Sequence, residues 1–432
     1  MNRSSILTNT FGGLQWLLFM FTNTVVIPLS IGAALGLSNG DIAASVQRAF
    51  IYTGIACLLQ ALLGHKLPIL EGQSGLYWGV ILGLSASVPK SDSLNLGGSL
   101  AVGIIGSGLI IMILGALGIG VLLKQWFTPV VMSVFLFLLA GQLILIFFKG
   151  MLGLAQFSHI HLSITALSIC LVILVNILLL KGKGLVSNFA LLIGIGVGWV
   201  AYVLLFPQDH AVNLSASSSL LHLFPWGWPA WNIGIILTAM LAGLINTTNT
   251  VATLKGSEAI FDAPVDDEQY KRSFILTGFN AVISGLFGLV PYAPYTSSLG
   301  FLQSTRIKER LPFLIGSCLF ILLGCTPVLG HFFSTLPVSV GDAVLFVAYL
   351  QLFGSALKNI ENLSFDYKSI YRIAAPTLVG FSLMALPATA FDGIPMIVRP
   401  LLSNGLLVGI LLALIFNVGK GIKGLSRERS LT

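Results

Sequence analysis

The chain has 432 residues, of which 56% are hydrophobic and 9% are charged, and its formal net charge is +7. A mean hydropathy of +0.96 excludes an ordinary soluble domain, which needs far more polar surface. The positive charge does not indicate nucleic-acid binding, because no basic stripe is interleaved with aromatic residues.

Fourteen apolar stretches follow one another along the chain, and we expect each to cross a membrane. Helix is the required form, because lipid offers no partner for free backbone N–H and C=O groups. The third and tenth stretches are short and polar. The predicted spans are 12–36, 42–64, 68–86, 97–122, 126–148, 161–180, 186–206, 232–254, 271–290, 293–304, 311–332, 336–357, 372–391 and 401–419.

Lysine and arginine residues fall on alternate connections between these spans. With both termini cytoplasmic, eighteen of the 22 basic residues lie in cytoplasmic segments, and only Lys90, Lys149 and Arg399 lie outside. Arg48 falls within the second span. This distribution obeys the positive-inside rule, and a shift of one span would scramble it. The sequence therefore predicts a multi-pass protein with both termini in the cytoplasm.

An even division gives seven spans in each half, and an odd number per half turns the two halves upside down relative to one another. The predicted domains are a first inverted repeat over 1–206, a connecting loop over 207–231 and a second inverted repeat over 232–432. Inverted repeats place substrate near the midplane, on interrupted helices at matching positions. This prediction directs attention to spans 3 and 10.

Both of these spans combine proline, glycine and small polar residues. Span 3 contains LPILEGQSGLYWG from Leu67, and span 10 contains PYAPYTSSLG from Pro291. Irregular backbone at membrane depth is tolerated only where protein or a water-filled cavity covers it. A simple kink without a ligand is the alternative, and it is weakened by the occurrence of two breaks at matching positions.

Glu71 is a carboxylate beside the first of these breaks. An ionisable group inside a span costs about 2.5–3.5 kcal/mol on insertion scales, so it usually faces a cavity or a partner. Glu71 is therefore a candidate for proton coupling or substrate contact. An ion pair with Arg48, or a side chain reaching the nearby interface, are the alternatives. Asp342 lies near a span end, where an interfacial position is favoured.

A dense polar cluster lies in span 8. Asn246, Asn249 and Thr250 are spaced i, i+3 and i+4, so they share one helix face. An amide offers both a donor and an acceptor, which suits the lactam and amidine edges of a nucleobase. The alternative is hydrogen bonding between helices, worth only ~0.6 kcal/mol per contact.

Other patterns favour packing over chemistry. The glycines of span 4 (Gly97, Gly98, Gly103, Gly106, Gly108, Gly115, Gly118 and Gly120) are typical of close helix contact, as are Gly405 and Gly409. Tyr77 and Trp78 suit either stacking on a planar ligand or a lipid-facing position. The four cysteines have unrelated spacings, and no Ser/His/Asp arrangement or metal-ligand spacing occurs. We therefore expect neither an enzyme nor a bound metal or cofactor.

Five ordered segments carry a resemblance to a known family. They are 15–28 (QWLLFMFTNTVVIP), the break at 72–74, 128–131 (TPVV), 246–256 and 291–306. In this order they resemble the nucleobase–cation symporters, which comprise the uracil/xanthine permeases and are also called nucleobase–ascorbate transporters. The resemblance covers nearly the whole chain. It is closest to a bacterial branch described as purine permeases.

The resemblance implies an all-α polytopic protein with fourteen transmembrane segments in a seven-plus-seven inverted repeat, divided into core and gate domains. It also implies short strands in spans 3 and 10 beside the substrate. Family members are typically homodimers, and the bacterial members, which lie in the inner membrane, often use the proton gradient. On this basis the expected partners are a nucleobase, a proton or sodium ion, membrane lipid and a second copy of the chain.

The chain departs from the family pattern at the residues that usually hold the base. Trp16 follows Gln15 where a histidine is usual. Asn246 replaces the span-8 carboxylate, and Asn249 replaces the glycine that follows in that motif. Ser297 replaces a Glu or Gln, and Ser298 stands where Asn is common. A shortened Ser297 leaves room for a larger base, which favours a purine over uracil.

The sequence thus predicts a secondary active transporter that imports a nucleobase, with a purine favoured, by proton-coupled alternating access. Glu71 would assume part of the missing carboxylate role. An anion transporter for sulfate or bicarbonate, with two half-helix N-termini facing the anion, is the alternative. The absence of a Lys or Arg beside Ser297 argues against it. The predicted substrate-binding residues are Gln73, Ser74, Gly75, Asn246, Asn249, Thr250, Tyr295, Thr296, Ser297 and Ser298.

Overall fold

Helices account for most of the protein. The computed structural model describes residues 3–88, 93–118, 128–154, 157, 159–206, 220–361, 363–364, 366–395 and 397–428. The helices of the first half are α1 Arg3–Thr24, α2 Val26–Leu35, α3 Asn39–Leu62, α4 Gly75–Ser87, α5 Ser93–Ala116, α6 Pro129–Met151, α7 Leu162–Lys181, α8 Leu185–Asn188 and α9 Ala190–Leu205. Those of the second half are α10 Ile233–Phe261, α11 Asp267–Phe287, α12 Ser297–Thr305, α13 Arg310–Gly324, α14 Pro327–Ser334, α15 Val338–Asn359, α16 Tyr367–Ala385, a 3-10 helix Ala388–Phe391, α17 Arg399–Leu402 and α18 Gly405–Glu428.

The described residues contain seven helical stretches that are long and apolar enough to cross a membrane. They are Asn9–Leu35, Asn39–Leu62, Ser93–Ala116, Pro129–Met151, Leu162–Lys181, Ile233–Phe261 and Val338–Asn359. Shorter apolar helices cover Gly75–Ala86, Ala190–Leu205, Arg310–Gly324 and Gly405–Asn417. The protein is therefore a multi-pass membrane protein, as predicted. The exact count of fourteen spans stays a prediction.

Proline accompanies the interruption of two predicted spans where the sequence suggested one helix. The first divides into α1 and α2 at Val25, because Pro28 has no N–H for the Thr24 carbonyl and its ring crowds that oxygen. The eleventh divides into α13 and α14, where Pro327 begins the new helix at its first position. A proline lies in the first turn of the helix that follows each interruption. The hydropathy pattern alone does not reveal these breaks, because both stretches are predominantly apolar.

Two short strands pair where the sequence predicted broken spans. β1 (Glu71–Gln73) and β2 (Tyr292–Pro294) are antiparallel, with Gly72 opposite Ala293. The Ser74 N–H donates to the Pro291 carbonyl at 2.8 Å and the Tyr295 N–H donates to the Leu70 carbonyl at 2.9 Å. The ladder therefore extends past each strand, and irregular backbone deep in the protein keeps its hydrogen bonds. The predicted strands in spans 3 and 10 are confirmed.

Close contact through glycine joins α5 to α11. A Cβ on Gly108 would lie 2.6 Å from the Gly278 carbonyl, and a Cβ on Gly278 would lie 2.6 Å from the Gly108 carbonyl. Gly115 meets Phe274 in the same way, at 2.9 Å. The packing role predicted for the span-4 glycines is confirmed at these positions, since any side chain would force the helices apart. Gly118 has open space around it, and Gly120 lies outside the described residues.

Part of the predicted connecting loop packs onto the helices. Residues 207–219 lie outside the described part of the chain. Trp226 is buried, and its carbonyl oxygen packs so closely on Gly97 of α5 that a Cβ on Gly97 would lie only 1.9 Å from that oxygen. Trp226 also lines a small cavity together with Pro28, Gln73 and Val290. This segment therefore covers α5 and shares a cavity with Gln73 of β1. The division into two inverted repeats remains a prediction.

Candidate functional site

The strand pair positions the N-termini of two helices. α4 begins directly after β1, with Ser74 as its capping residue, and α12 begins shortly after β2. The first N–H groups of a helix have no partner within it, and they carry the positive end of the helix dipole. Two such termini at one strand pair form a polar locality inside an apolar protein.

Asn246 of α10 ties this locality together. Its Oδ1 accepts from the Ser74 hydroxyl at 2.5 Å and from Asn249 Nδ2 at 3.0 Å. Its Nδ2 donates to the Tyr292 carbonyl at 3.1 Å. Asn246 is 2% exposed and has most of its hydrogen-bonding capacity used. It therefore positions Ser74 and Asn249, and its predicted direct contact with the substrate stays a prediction.

Asn249 is the partner amide and is half-buried. Only one of its N–H groups is used, in the bond to Asn246. Within the described part of the chain, its second N–H and its oxygen make no protein hydrogen bond. Asn249 can therefore offer one donor and one acceptor to a ligand.

Two threonines connect α10 to the start of α12. The Thr253 hydroxyl donates to the Pro294 carbonyl at 3.1 Å and lies 3.0 Å from the Thr296 hydroxyl. Thr253 has one proton, so Thr296 is the donor between them. Thr296 and Ser297 are exposed. Sequence reasoning missed Thr253, although it lies on the Asn246 and Asn249 face, seven residues after the first and four after the second.

Other predicted residues support the strand pair from outside it. The Tyr295 hydroxyl donates to the Gln73 carbonyl. Ser298 is buried and accepts from the Leu70 N–H at 3.1 Å. These two side chains fasten one interrupted span to the other. Their polar atoms serve the backbone, and we assign them to holding the site in shape.

The remaining predicted residues are not all brought together. Thr250 is fully buried and its hydroxyl has no hydrogen-bond partner in the described structure. The Gln73 side chain is buried, with an unpaired Oε1, and lines the cavity beneath Trp226. Gly75 is half-buried, and a Cβ there would lie 3.2 Å from the hydroxyl of Tyr349 on α15. No pattern in the sequence could have identified Tyr349.

Glu71 points into a separate polar pocket between α3 and α11. Its Oε1 lies 3.4 Å from Gln60 Nε2 and 3.4 Å from the Thr277 hydroxyl. The predicted alternative of an ion pair with Arg48 is wrong, since the Arg48 guanidinium donates to the Ser45 hydroxyl at 2.9 Å. Glu71 is fully buried, so a position at the membrane interface is also wrong.

Tyr77 and Trp78 contact neither a ligand space nor lipid. Both are almost fully buried. The Tyr77 hydroxyl donates to the Ala239 carbonyl at 2.9 Å, and Trp78 Nε1 donates to the Ser30 hydroxyl at 2.7 Å. Each aromatic side chain thus meets its polar requirement within the protein, as buried Tyr and Trp usually do.

Comparison with known proteins identifies the family. The model of the xanthine/uracil permeases, Xan_ur_permease, described as Permease family, matches residues 8–389. The chain belongs to this family of nucleobase permeases.

Curated relatives are similar along almost the entire chain. The "Putative purine permease YwdJ" of Bacillus subtilis (strain 168) is 29% identical over 417 residues, covering 93% of this chain and 94% of the relative. The uric acid permease PucJ of the same organism is 25% identical, covering 94% and 91%. The nucleobase transporter PlUacP of Paenibacillus larvae subsp. larvae (strain NRRL B-3650 / LMG 16245) is 23% identical, covering 96% and 95%.

Solved structures with the same fold include two named as anion transporters. The transmembrane domain of a cyanobacterium bicarbonate transporter, BicA, has a TM-score of 0.66 at 15% identity and covers 96% of this chain and 98% of that one. The murine Solute Carrier 26 family member A9 anion transporter, in its inward-facing state, has a TM-score of 0.65 at 11% identity, with coverage of 97% and 69%. At these identities the likeness establishes the fold alone.

Proposed function

We propose that the protein is a secondary active transporter that imports a nucleobase, a purine in preference to uracil, by proton-coupled alternating access. The observation that carries this proposal is the pair of amides, Asn246 and Asn249, beside the paired strands β1 and β2. We call this place, where the two interrupted spans meet, the strand crossing. Asn246 orients Asn249, and Asn249 retains one donor and one acceptor beside the helix N-termini. A purine edge presents the complementary acceptor and donor. Family membership and relatives named for purines, uric acid and xanthine support the same substrate class.

The proposed binding residues divide by role. Asn249, Thr296 and Ser297 contact the base, because they are half-buried or exposed at the crossing. Asn246, which accepts from Ser74, orients Asn249, and Thr253 accepts from Thr296. The other predicted residues (Gln73, Gly75, Thr250, Tyr295 and Ser298) shape the backbone around the base. A short Ser297 at the start of α12 leaves space for the second ring of a purine.

Glu71 is the proposed carrier of the coupled proton. It is a fully buried carboxylate whose Oε2 has no hydrogen-bond partner in the described structure, and its neighbours are neutral amides and hydroxyls. An unpaired buried charge is costly, so gain of a proton relieves the cost. Its strand continues into Ser74, which links its charge state to the base site through three residues of extended backbone. We further propose a homodimer in a bacterial inner membrane, with both termini cytoplasmic.

Uptake of labelled adenine, guanine, hypoxanthine, xanthine and uracil tests the substrate class. The assay uses bacterial cells that lack their own nucleobase transporters, with and without an uncoupler. We expect saturable uptake of a purine that the uncoupler abolishes. Uptake of uracil alone would contradict the purine preference, and uptake that is insensitive to the uncoupler would contradict proton coupling.

Replacing Glu71 by Gln tests the coupling role separately. The amide keeps the size of the side chain but cannot exchange a proton, so proton-driven accumulation should disappear. Exchange of labelled for unlabelled base should continue, because a loaded carrier can cycle without releasing a proton. Accumulation at the wild-type level in Glu71→Gln would exclude Glu71 as the proton carrier.

The alternative function is transport of an anion on the same architecture. Two helix N-termini at the strand crossing favour negative charge, and neutral Asn246 replaces a carboxylate that would repel an anion. Two solved structures with this fold are named as a bicarbonate transporter and an anion transporter. Competition by sulfate or bicarbonate against adenine or hypoxanthine distinguishes the two substrates: inhibition by the anions without inhibition by the purines would favour this alternative.

A further inference from the structure

One face of α11 carries an unusual row of polar side chains. Gln269, Ser273, Thr277 and Asn280 are spaced i, i+4, i+8 and i+11, which places them along one side of the helix. The last three are at most 1% exposed. The row therefore runs through the interior of the protein and not along a wet surface.

The row, Glu71 and Gln60 of α3 together have five buried polar atoms without hydrogen-bond partners in the described structure. They are Glu71 Oε2, Gln60 Oε1, the Ser273 hydroxyl and both polar atoms of the Asn280 amide. Each such atom costs about 1–3 kcal/mol if it stays unpaired. Natural proteins retain few of them, so five in one pocket indicate that something enters it and hydrogen bonds there.

The hydrogen bonds that do form in this pocket are long. Gln60 Nε2 lies 3.4 Å from Glu71 Oε1, 3.2 Å from the Ser273 carbonyl and 3.3 Å from the Thr277 hydroxyl. A single amide is thus shared among three acceptors. Gln60 connects the α11 row to the Glu71 carboxylate, and its own Oε1 remains available to accept a hydrogen bond from a water molecule.

The row ends at the surface where α11 begins. Gln269 is half-buried, and its Nε2 donates to the His65 carbonyl at 2.7 Å, in the connection between α3 and β1. Lys66, Lys271 and Arg272 lie at the same end, the end that the charge pattern predicts to be cytoplasmic. One polar row thus leads from that surface to Glu71.

The charged and titratable neighbours of Glu71 offer no counter-ion. The groups that face it are the Cys57 thiol on α3 and the Tyr292 phenol on β2. Neither is basic, and α11 contributes only neutral side chains to the pocket. A proton is therefore the smallest species that can neutralise the carboxylate without rearranging the helices.

We propose that the α11 row, with Ser273 as its central relay, is the path by which Glu71 exchanges its proton with the side of the membrane where α11 begins. The inference rests on the proposed function of Glu71 as the proton carrier. In release, the O–H bond of the Glu71 carboxyl breaks and the proton passes to a water held by the Ser273 hydroxyl. It leaves past Gln269 as hydronium, and the carboxylate remains. Ser273 is a positioning residue, since it touches neither the base nor its reacting atoms.

The test uses the purified full-length protein in liposomes that contain a pH-sensitive dye. The probe is the labelled purine that the uptake assay selects from adenine, guanine, hypoxanthine and xanthine. Ser273→Ala removes the hydroxyl and keeps the carbonyl that Gln60 contacts, whereas Ser273→Thr keeps both. Ser284→Ala is the matched control, because Ser284 lies deeper on α11 and its hydroxyl already donates to the Asn280 carbonyl at 2.7 Å.

We expect Ser273→Ala to slow both purine accumulation and dye-reported proton entry about tenfold. A positioned proton-transfer group contributes on the order of 100-fold or more, and water can replace part of that contribution. Exchange of labelled for unlabelled purine should stay at the wild-type rate, and Ser273→Thr and Ser284→Ala should behave as the wild type in every assay.

Wild-type accumulation in Ser273→Ala would overturn the proposed path. Loss of exchange together with accumulation would also overturn it, because the hydroxyl would then serve the fold or the base site. Failure of the proposed function is distinguishable, since the wild type itself would then ignore the pH gradient, or Glu71→Gln would accumulate normally. Accumulation driven by a sodium gradient alone would assign the pocket to a metal cation and overturn the proton path.

Discussion

At the scale of single residues, a few amides and hydroxyls organise an apolar interior. Asn246 spends three hydrogen bonds on Ser74, Tyr292 and Asn249, and in doing so leaves Asn249 fixed with unused capacity. The two amides thus have different roles: Asn246 positions its neighbours, and Asn249 presents its unused donor and acceptor to a ligand. Because the Asn249 amide is already held in one orientation, it loses less conformational freedom when a ligand binds, and this favours affinity.

His65 gives a residue-scale prediction of pH dependence. It lies in the connection between α3 and β1, where its Nδ1 accepts from the Leu67 N–H at 3.0 Å. Burial, and secondarily the positive charge of Arg310, lowers the pKa of His65 from 6.5 to about 3. Between these values the unfolded chain binds a proton that the folded protein refuses, so stability falls as pH falls, by up to about 1.4 kcal/mol per pH unit.

His65→Asn removes this titration and keeps an acceptor for Leu67. Above pH 7 the wild type should have the higher melting temperature in detergent, and its advantage should shrink as the pH is lowered from 6.5 towards 4.5. The difference between the two proteins is the measurement, because carboxylates elsewhere affect both equally. A difference that stays constant with pH would contradict the assignment.

Part of the site could be predicted from residue types, and part could not. Asn246 and Asn249 are conspicuous because amides are rare in membrane spans and these two share a helix face. Gln60, Ser273 and Asn280 are equally buried but come from two helices that are distant in sequence. Only the packing of α3 against α11 brings them to Glu71, and no local spacing encodes that contact.

At the scale of elements, the strand pair depends on a glycine. Gly72 lies in the middle of β1, and a Cβ there would be 2.9 Å from Cε1 of the Tyr295 ring. That ring has to lie flat against the strand for its hydroxyl to reach the Gln73 carbonyl. The close approach of an aromatic ring to the backbone explains why this strand position has no side chain.

Gly72→Ala should therefore displace the Tyr295 ring and loosen the crossing. We expect a loss of about 1–3 kcal/mol in stability, the usual cost of overpacking, and weaker purine uptake at equal protein level. Thermal melting in detergent measures the first effect. Gly196→Ala on α9 is the matched control, because nothing lies within 4 Å of a Cβ there. Equal melting temperatures for Gly72→Ala and the control would contradict the account.

The apolar stretches of the sequence predicted that the helices exist, but they predicted the interruptions within them only in part. Glycine, proline and small polar residues predicted the breaks at β1 and β2. The break after α1 was missed, since Pro28 sits within an otherwise strongly apolar stretch and hydropathy averages over it. The strand register was beyond the sequence, because it is set by which backbone groups of two distant segments meet.

At the scale of the whole molecule, two polar regions share one strand. The proposed base site lies at the Ser74 end of β1, and the pocket of the proposed proton carrier lies at the Glu71 end. A change in one region can reach the other through three residues of backbone that are paired to β2. In the proposed function, this short connection couples the transport of a proton to that of a base without contact between the two.

The central claim, that a purine is held at the strand crossing by Asn249, is tested most directly by equilibrium binding to the purified protein. The measurement compares wild type with Asn249→Ala and uses adenine, guanine, hypoxanthine and xanthine in turn. Loss of two hydrogen bonds of about 0.5–1.5 kcal/mol each should raise Kd roughly tenfold at an unchanged melting temperature. Equal purine affinity in the two proteins would contradict the claim and place the substrate elsewhere.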